Sequence, residues 1–246
     1  MENLRISTMT AITSLNSNIH LDNLYKHIQI NETIPFLQHG SLGTKGTSNK
    51  AKKKPRKEVK RNTFFNQVTI HVHCGKLVNV KLFNNGKVQM TGLKYESHGS
   101  MVLKTLLPLI TPLKDVFTTN HVEHLPMNIV LINSDFDIGY KIQRDVLHRQ
   151  IVDEGMYSSY EPCIYPGVNI KYYYNLNQSN GICKCSAMCV GKGDGSSDGE
   201  CKRITIAVFK SGKIIITGAR SRKHLEISYY FITKFINDRK VKIELK

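Results

Sequence analysis

Four cysteines gather in and just beyond one short stretch: Cys183, Cys185 and Cys189 in a segment running from about Leu176 to Glu200, and Cys201 at its exit. Thiolates grouped in this way bind zinc tetrahedrally, and the ion then replaces the apolar core that a loop tipped by GKGDGSSDG lacks. Cys-x-Cys-x-x-x-Cys is not a standard knuckle spacing, so two other states stay open: reduced free thiols and a disulfide. Cys74 and Cys163 stand outside the group, and Cys74 continues the aliphatic phase of its strand as a core thiol. His71-x-His73 puts two imidazoles on one strand face, with no carboxylate or third ligand readable beside them; a groove-contacting or exposed pair fits them better than a metal site. There is no Gly-x-Ser-x-Gly elbow, phosphate loop or His-Glu-x-x-His helix, and GKGDGSSDG lacks the flanking strand and helix of a nucleotide cradle. No catalytic constellation emerges, so an enzyme is not expected and no cofactor is required, structural zinc being one of the open states of the cysteine loop.

The elements that position these residues are set by a duplication. VKLFNNGKVQMTGLK, from Val80 to Lys94, and IAVFKSGKIIITGAR, from Ile206 to Arg220, align without a gap at an offset of 126 residues. Each copy reads as a hairpin: an alternating strand, a turn at Asn85-Gly86 or Ser211-Gly212, and a second strand closed by Thr-Gly. Alternation puts Val80, Leu82, Val88 and Met90 on one face, and Lys81, Phe83, Gln89 and Thr91 on the other. In the second copy the faces hold Ile206, Val208, Ile214 and Ile216 against Ala207, Phe209, Ile215 and Thr217. One face is uniformly aliphatic, whereas the other carries a large aromatic at the same place twice.

Helical spacing follows each hairpin and supplies a lid for the aliphatic face. Leu225, Tyr229, Ile232 and Ile236 recur at helical steps, with Ser221 placed as the cap. Leu103, Leu106, Leu107 and Ile110 do the same, with Pro108 and Pro112 expected to kink or split that helix. A strand precedes each hairpin. In FFNQVTIHVHCG, Val68, Ile70 and Val72 point to the helices, while Gln67, Thr69, His71 and His73 share the open face with Phe65. In IYPGVNIKYYYN, Val168, Ile170 and Tyr172 point inward, and Tyr165, Asn169, Lys171 and Tyr173 point away. The expected fold is α+β and pseudo-twofold, with helices on one side of a sheet and four aromatics on the open side: Phe65 with Phe83, and Tyr165 with Phe209.

These motifs, Phe-x-x-Gly-Lys-x-x-x-Thr-Gly twice and SSYEPCIYPGV from Ser158 to Val168, resemble the TATA-box-binding protein family. The resemblance covers roughly residues 5 to 30 and 63 to 240, and it is that of a divergent member. It implies a saddle of two repeats, about 5–120 and 121–240, forming one domain with a curved antiparallel sheet and helices on the convex face. It also implies a general transcription initiation factor that grips A·T-rich promoter DNA in the minor groove and bends it with aromatic wedges. For that mode of kinking this family is itself the standard example. The wedges then map to Phe65, Phe83, Tyr165 and Phe209. Tyr165 departs from the family's Phe, and its hydroxyl needs a partner in a dry wedge.

The minor-groove floor maps to Thr8, Gln89, Thr91, Asn133, Ala207, Ile215 and Thr217. Short hydroxyls suit A·T pairs, which offer only acceptors there. The family keeps aliphatic residues at the positions of Lys81 and Gln89, so weaker A·T discrimination, or a different motif preference, is expected on the half met by the first repeat. Thr8 falls at the first of the family's two base-reading asparagines, and either Asn128 or Asn133 at the second. Phosphate contacts map to Lys87, Lys94, Lys171, Lys213 and Arg220. Partners implied are double-stranded DNA, a transcription factor IIB-like protein and the RNA polymerase machinery. Glu161 matches a contact to the IIB-like factor in the second-repeat stirrup, where Cys163 replaces the family's next acidic residue.

Charge agrees with a polyanionic partner. The 246 residues carry a formal net charge of +16, and the run from Lys45 to Arg61 holds nine Lys/Arg against one Glu, leaving +8 for the rest. The segment 32–62 is expected to be a disordered basic insertion that adds non-specific DNA affinity. No secretory pattern or long apolar run appears, which leads to an expectation of a soluble intracellular protein without membrane association, and the resemblance implies a nuclear location, or a cytoplasmic viral factory if the chain is viral. Two readings compete with DNA bending: a protein-interaction scaffold with weak or non-specific DNA binding, docked through the cysteine loop, and a DNA-processing domain, for which no active-site residues are found.

Overall fold

The computed structural model describes residues 3–48, 65–178 and 180–245. Its contacts divide the chain into two compact units, Met9–Val130 and a second made of Met1–Thr8 with Leu131–Lys246. The expected repeat boundary near 120 thus lies ten residues later, and the first residues of the chain group with the second repeat. Side chains account for that grouping, because Arg5 and Ser7 both bond to Asp135.

In chain order the first elements are β1 (Arg5–Ser14), α1 (Leu21–His27), β2 (Phe36–His39), β3 (Gly43–Gly46), β4 (Gln67–Cys74), β5 (Lys76–Phe83), β6 (Lys87–Leu93) and α2 (His98–Ile110). They are followed by β7 (Asn128–Asp137), α3 (Arg144–Asp153), β8 (Tyr157–Ser159), β9 (Val168–Tyr174), β10 (Lys202–Val208), β11 (Lys213–Ala219), α4 (Arg222–Asp238) and α5 (Lys240–Ile243). The strands of the first unit run in the order β3-β2-β4-β5-β6-β1, and those of the second in the order β7-β11-β10-β9-β8. Corresponding strands hold corresponding places, and the strand pairings within each unit are antiparallel.

Registers make the duplication quantitative. Leu82 faces Val88 as Val208 faces Ile214, an offset of 126 on both sides of each hairpin. One strand earlier, Val68 faces Leu82 as Val168 faces Val208, an offset of 100. The difference is the loop 175–201, which stands where Gly75 alone turns the chain in the first unit. The Thr-Gly motif also acquires a reason. In β11 the register shifts between Ile216 and Ala219, so Gly218, at φ 95°, takes the extra position of a bulge.

The aliphatic faces are buried completely: Val68, Ile70, Val72, Val80, Leu82, Val88 and Met90 in one unit, and Val168, Ile170, Ile206, Val208, Ile214 and Ile216 in the other, all 0% exposed. Helices α2 and α4 cover them. As expected, Ser221 caps α4, its hydroxyl accepting from the His224 N–H at 3.2 Å. Pro108 does not split α2, which continues to Ile110. Placed in the last turn, a proline leaves only one carbonyl of the preceding turn without its helical donor.

The helix starts hold a feature that the hairpin alignment stops short of. His98 and His224 also lie 126 apart, both buried. Each Nδ1 accepts from a backbone N–H, of Lys94 or Arg220, at 3.3 Å. Each Nε2 lies 3.0 Å or 3.2 Å from a carbonyl, of Cys74 or Asp194, so the proton resides on Nε2 in both. Burial pushes the His224 pKa below 6.5 and keeps the ring neutral, as a two-sided clasp between hairpin end and helix requires.

The expected disordered insertion 32–62 begins with structure. β2 pairs with β4 and β3 pairs with β2, adding an edge hairpin to the first unit, while residues 49–62 of that segment lie outside the described residues. Phe36 of β2 lies 4.6 Å from the His71 ring, so His71 is buried rather than open; His73 remains exposed. Lys45, counted in the basic run, instead donates to the carbonyl of Tyr25 at 2.5 Å and to that of Lys26 at 3.1 Å at the end of α1. Cys74 is half-buried at the end of β4.

Candidate nucleic-acid interface

None of the four aromatics lies beneath a helix. In the second unit Tyr165 and Phe209 meet at 5.8 Å between centroids and 62° between planes, an edge-to-face pair at the end of the open face. Backbone at Gly167 seats them, for a Cβ there would fall 3.0 Å from Tyr165 and 3.2 Å from Phe209. Tyr165 is 40% exposed. In the first unit Phe65 is 68% exposed at the turn leading into β4, and Phe83 is half-buried opposite Gln67 at the end of β5.

Beside Phe209 an open groove of about 690 Å³ runs over the second unit, lined by Thr8, Asn133, Asp135, Ile215 and Thr217 among others. Asn133 lies on its floor, where its side-chain oxygen accepts a short hydrogen bond from the Thr217 hydroxyl. Asn128, the alternative considered from sequence, is exposed at the start of β7. Register places Asn133 next to Ser134, the partner of Ile216, just as Thr10 adjoins Ala11, the partner of Met90. Thr10, not Thr8, is therefore the first unit's counterpart of Asn133, and it faces Thr91 directly. The register between β1 and β6 shifts here, with Met9 facing Leu93 and Thr10 facing Thr91, so Gly92 of the first Thr-Gly motif, at φ 105°, is the extra residue on β6 as Gly218 is on β11. Thr8 Oγ1 and Asn169 Oδ1 are buried without a hydrogen-bond partner, both on the open side of the second unit. Such atoms cost about 1–3 kcal/mol each unless something bonds to them.

Asp135 is a site residue that the sequence pattern did not single out. It sits in the groove, accepts from Ser7, and pairs with Arg5 at 2.9 Å. The Ser7 hydroxyl, with Arg5 beside it, holds the carboxyl below its ordinary 3.8. Because folding lowers this pKa, its contribution to stability is complete above the unfolded value and fades as pH falls through and below about 4. The pair also neutralises a charge that would repel DNA. We expect Arg5→Ala to weaken binding to duplex DNA about three- to tenfold in fluorescence-anisotropy titrations, and Asp135→Asn in the same background to restore it. The register shows a trade between units: Ile215 faces Asp135 in the second, whereas Gln89 faces Ile12 in the first.

The remaining floor residues separate by burial. Ala207 is nearly covered, Ile215 is 37% exposed, and Lys81 and Gln89 face each other across β5 and β6. Among the cations mapped from sequence, Lys87, Lys213 and Arg220 are exposed, and Lys213 lines the groove. Lys171 is half-buried and donates to Thr205 at 3.0 Å; burial, with Arg203 nearby, pushes its pKa down. It therefore stands on the floor rather than at an edge. Lys94 is half-buried. Glu161 is exposed in the loop before β9, where its carbonyl accepts from the Ile164 and Tyr165 N–H groups at 2.9 and 2.8 Å. Arg144 of α3 holds that loop by donating to the Pro166 carbonyl and covering the Tyr160 ring.

Residues 127–238, most of the second unit, match the family described as "Transcription factor TFIID (or TATA-binding protein, TBP)". A TATA-box-binding protein-like protein of Acanthamoeba polyphaga mimivirus is 28% identical over 269 aligned residues, covering 99% of this chain and 67% of that protein. The chain is TBP-like. TATA-box-binding protein 1 of Triticum aestivum is 25% identical over 60% of this chain, which spans 48% of that relative. The fold is that of Methanococcus jannaschii TBP, with a TM-score of 0.58 at 18% identity, over 96% of this chain and 99% of that one. The TBP family consists of non-enzymatic transcription factors, in keeping with the expectation that this chain is not an enzyme. Among the described residues no helix is long and apolar enough to cross a membrane.

Proposed function

We propose that this TBP-like protein is a general initiation factor that binds A·T-rich promoter DNA through the minor groove and bends it. The observation that carries the reading is the second unit's open face. A half-exposed aromatic pair there adjoins a groove floored by Thr217, Asn133 and Ile215, with the unpartnered Thr8 hydroxyl beside them. Hydroxyl and amide donors suit the acceptors of A·T pairs, while the exocyclic amine of guanine meets the aliphatic floor at Ile215 and Ala207. Aromatic side chains wedged between base steps cost a few kcal/mol of unstacking, roughly, and the bent duplex repays it in contact area. Lys213, Lys87, Lys94 and Arg220 face phosphates, Lys171 the floor, and Glu161 a transcription factor IIB-like partner ahead of the polymerase. The chain then acts where transcription begins, in the nucleus or in a viral factory.

Gel-shift titrations on A·T-rich and G·C-rich duplexes of equal length test this. The expected result is at least about tenfold tighter binding to the A·T duplex, equivalent to ~1.4 kcal/mol. Equal affinities with a steep salt dependence would favour a scaffold whose contact with DNA is non-specific, the reading motivated by Lys81 and Gln89. Those residues provide a sharper probe. Lys81→Val with Gln89→Ile makes the first unit's floor aliphatic, and we expect the A·T preference to rise about three- to tenfold by exclusion of the guanine amine.

A further inference from the structure

We propose that Cys183, Cys185, Cys189 and Cys201 form a tetrathiolate zinc site that folds the 175–201 loop onto the second unit. The four Sγ atoms, three half-buried and one buried, lie within 4.8 Å of one another. Cys201 is 3.3 Å from Cys185 and 3.7 Å from Cys183. A Zn–S bond of about 2.3 Å in tetrahedral geometry sets sulfurs about 3.8 Å apart, so the cluster already has the dimensions of the centre. The chain around it is arranged for a closed structural site. The Asp198 carboxylate accepts from the N–H groups of Ser186 and Ala187 at 2.9 and 2.8 Å, which fixes the turn between two ligands.

Among the described residues the only buried side chains of the loop are Asn175 and Cys201. Met188 is 91% exposed and Val190 54%. What holds the loop is backbone: Gly191 accepts from Arg203, Gly181 from Tyr173 and Gly195 from Leu176. Its path brings the Asp194 carbonyl onto the His224 clasp. A segment of this length without apolar anchors recovers its ordering entropy through a crosslink, and a metal supplies one in a reducing compartment. Binding replaces four S–H protons by four Zn–S bonds, releases the protons to solvent, and changes no oxidation state. Four ligands complete the tetrahedron, so the site is structural.

The test uses the full chain purified under reducing conditions, with metal content measured by mass spectrometry and thiols mapped by alkylation. About one zinc per chain is expected, with the four loop cysteines protected until a chelator is added and the exposed Cys163 labelled throughout. Cys189→Ser should lower zinc to about a tenth or less, while Cys163→Ser leaves it unchanged. Should Cys189→Ser not fold, cobalt titration of the stripped wild-type chain decides, with the visible bands of tetrahedral thiolate-bound cobalt saturating at one equivalent. Zinc at background in folded wild type, a cobalt spectrum without thiolate character, or a Cys185–Cys201 disulfide in non-reducing peptide maps would each overturn the proposal. None of these readouts involves DNA.

Discussion

Phe209→Ala should reduce affinity for an A·T-rich duplex about ten- to a hundredfold, or ~1.4–2.8 kcal/mol, and remove most of the bend measured by circular-permutation gels or end-to-end energy transfer. The ring is half-exposed at the lip of the groove and touches Tyr165 edge-on, so its removal leaves the aliphatic core untouched. The unfolding midpoint should therefore hardly move, which separates a wedge from a packing role. Phe83→Ala should behave alike, because it takes the same register position 126 residues earlier. Tyr165→Phe should bind at least as well as wild type, since a phenol loses hydrogen bonds with water when it enters a base stack. If Phe83→Ala and Phe209→Ala leave both affinity and bend intact while salt alone abolishes binding, the wedge mechanism is wrong.

The largest loss of stability is expected at the hairpin turns. Gly212 has φ 89°, and a Cβ there would fall 2.2 Å from the Tyr140 carbonyl oxygen. Gly86 repeats the arrangement at φ 77°, with a Cβ 2.3 Å from the Ser17 carbonyl. Each turn carbonyl also accepts from the strand that crosses it, Gly212 from Ile138 at 3.2 Å and Gly86 from Leu15 at 2.8 Å. A side chain at either position meets both left-handed backbone, costing about 1–2 kcal/mol, and a rigid carbonyl whose displacement costs a further ~1–3 kcal/mol. Gly212→Ala should thus lower stability in urea unfolding by about 2–5 kcal/mol. Gly139→Ala is the control: its φ is 83° but nothing lies within 4 Å of the added carbon, so only the conformational part should appear. Equal losses at Gly139 and Gly212 would show that the close approach is immaterial.

Much of the second unit's working face was readable from the chain. Period-two alternation assigned Val168, Ile170, Ile206, Val208, Ile214 and Ile216 to the core and Phe209 to the other side, and all six aliphatic residues are fully buried. Alternation could not register the bulges at Gly92 of β6 and Gly218 of β11, which together make Thr10 the first unit's counterpart of Asn133. His98 and His224 carried a readable signal, the same offset of 126, but their role depends on carbonyls of Cys74 and Asp194 that are remote in sequence. Arg5, Ser7 and Asp135 carried none, for their meeting joins positions about 130 residues apart.

The repeated hairpins, their aliphatic faces, the paired aromatics and the capped helix α4 follow from composition and spacing, because side-chain alternation and helical periodicity act between residues a few positions apart. The edge hairpin that buries His71 against Phe36, the Asn133–Thr217 contact on the groove floor, the ion pair of Asp135 and the convergence of four sulfurs were decided by folding. Each of these contacts is set by strand order, a bulge or a loop path. Such features depend on which distant segments pack together, and no local pattern of residues encodes that choice.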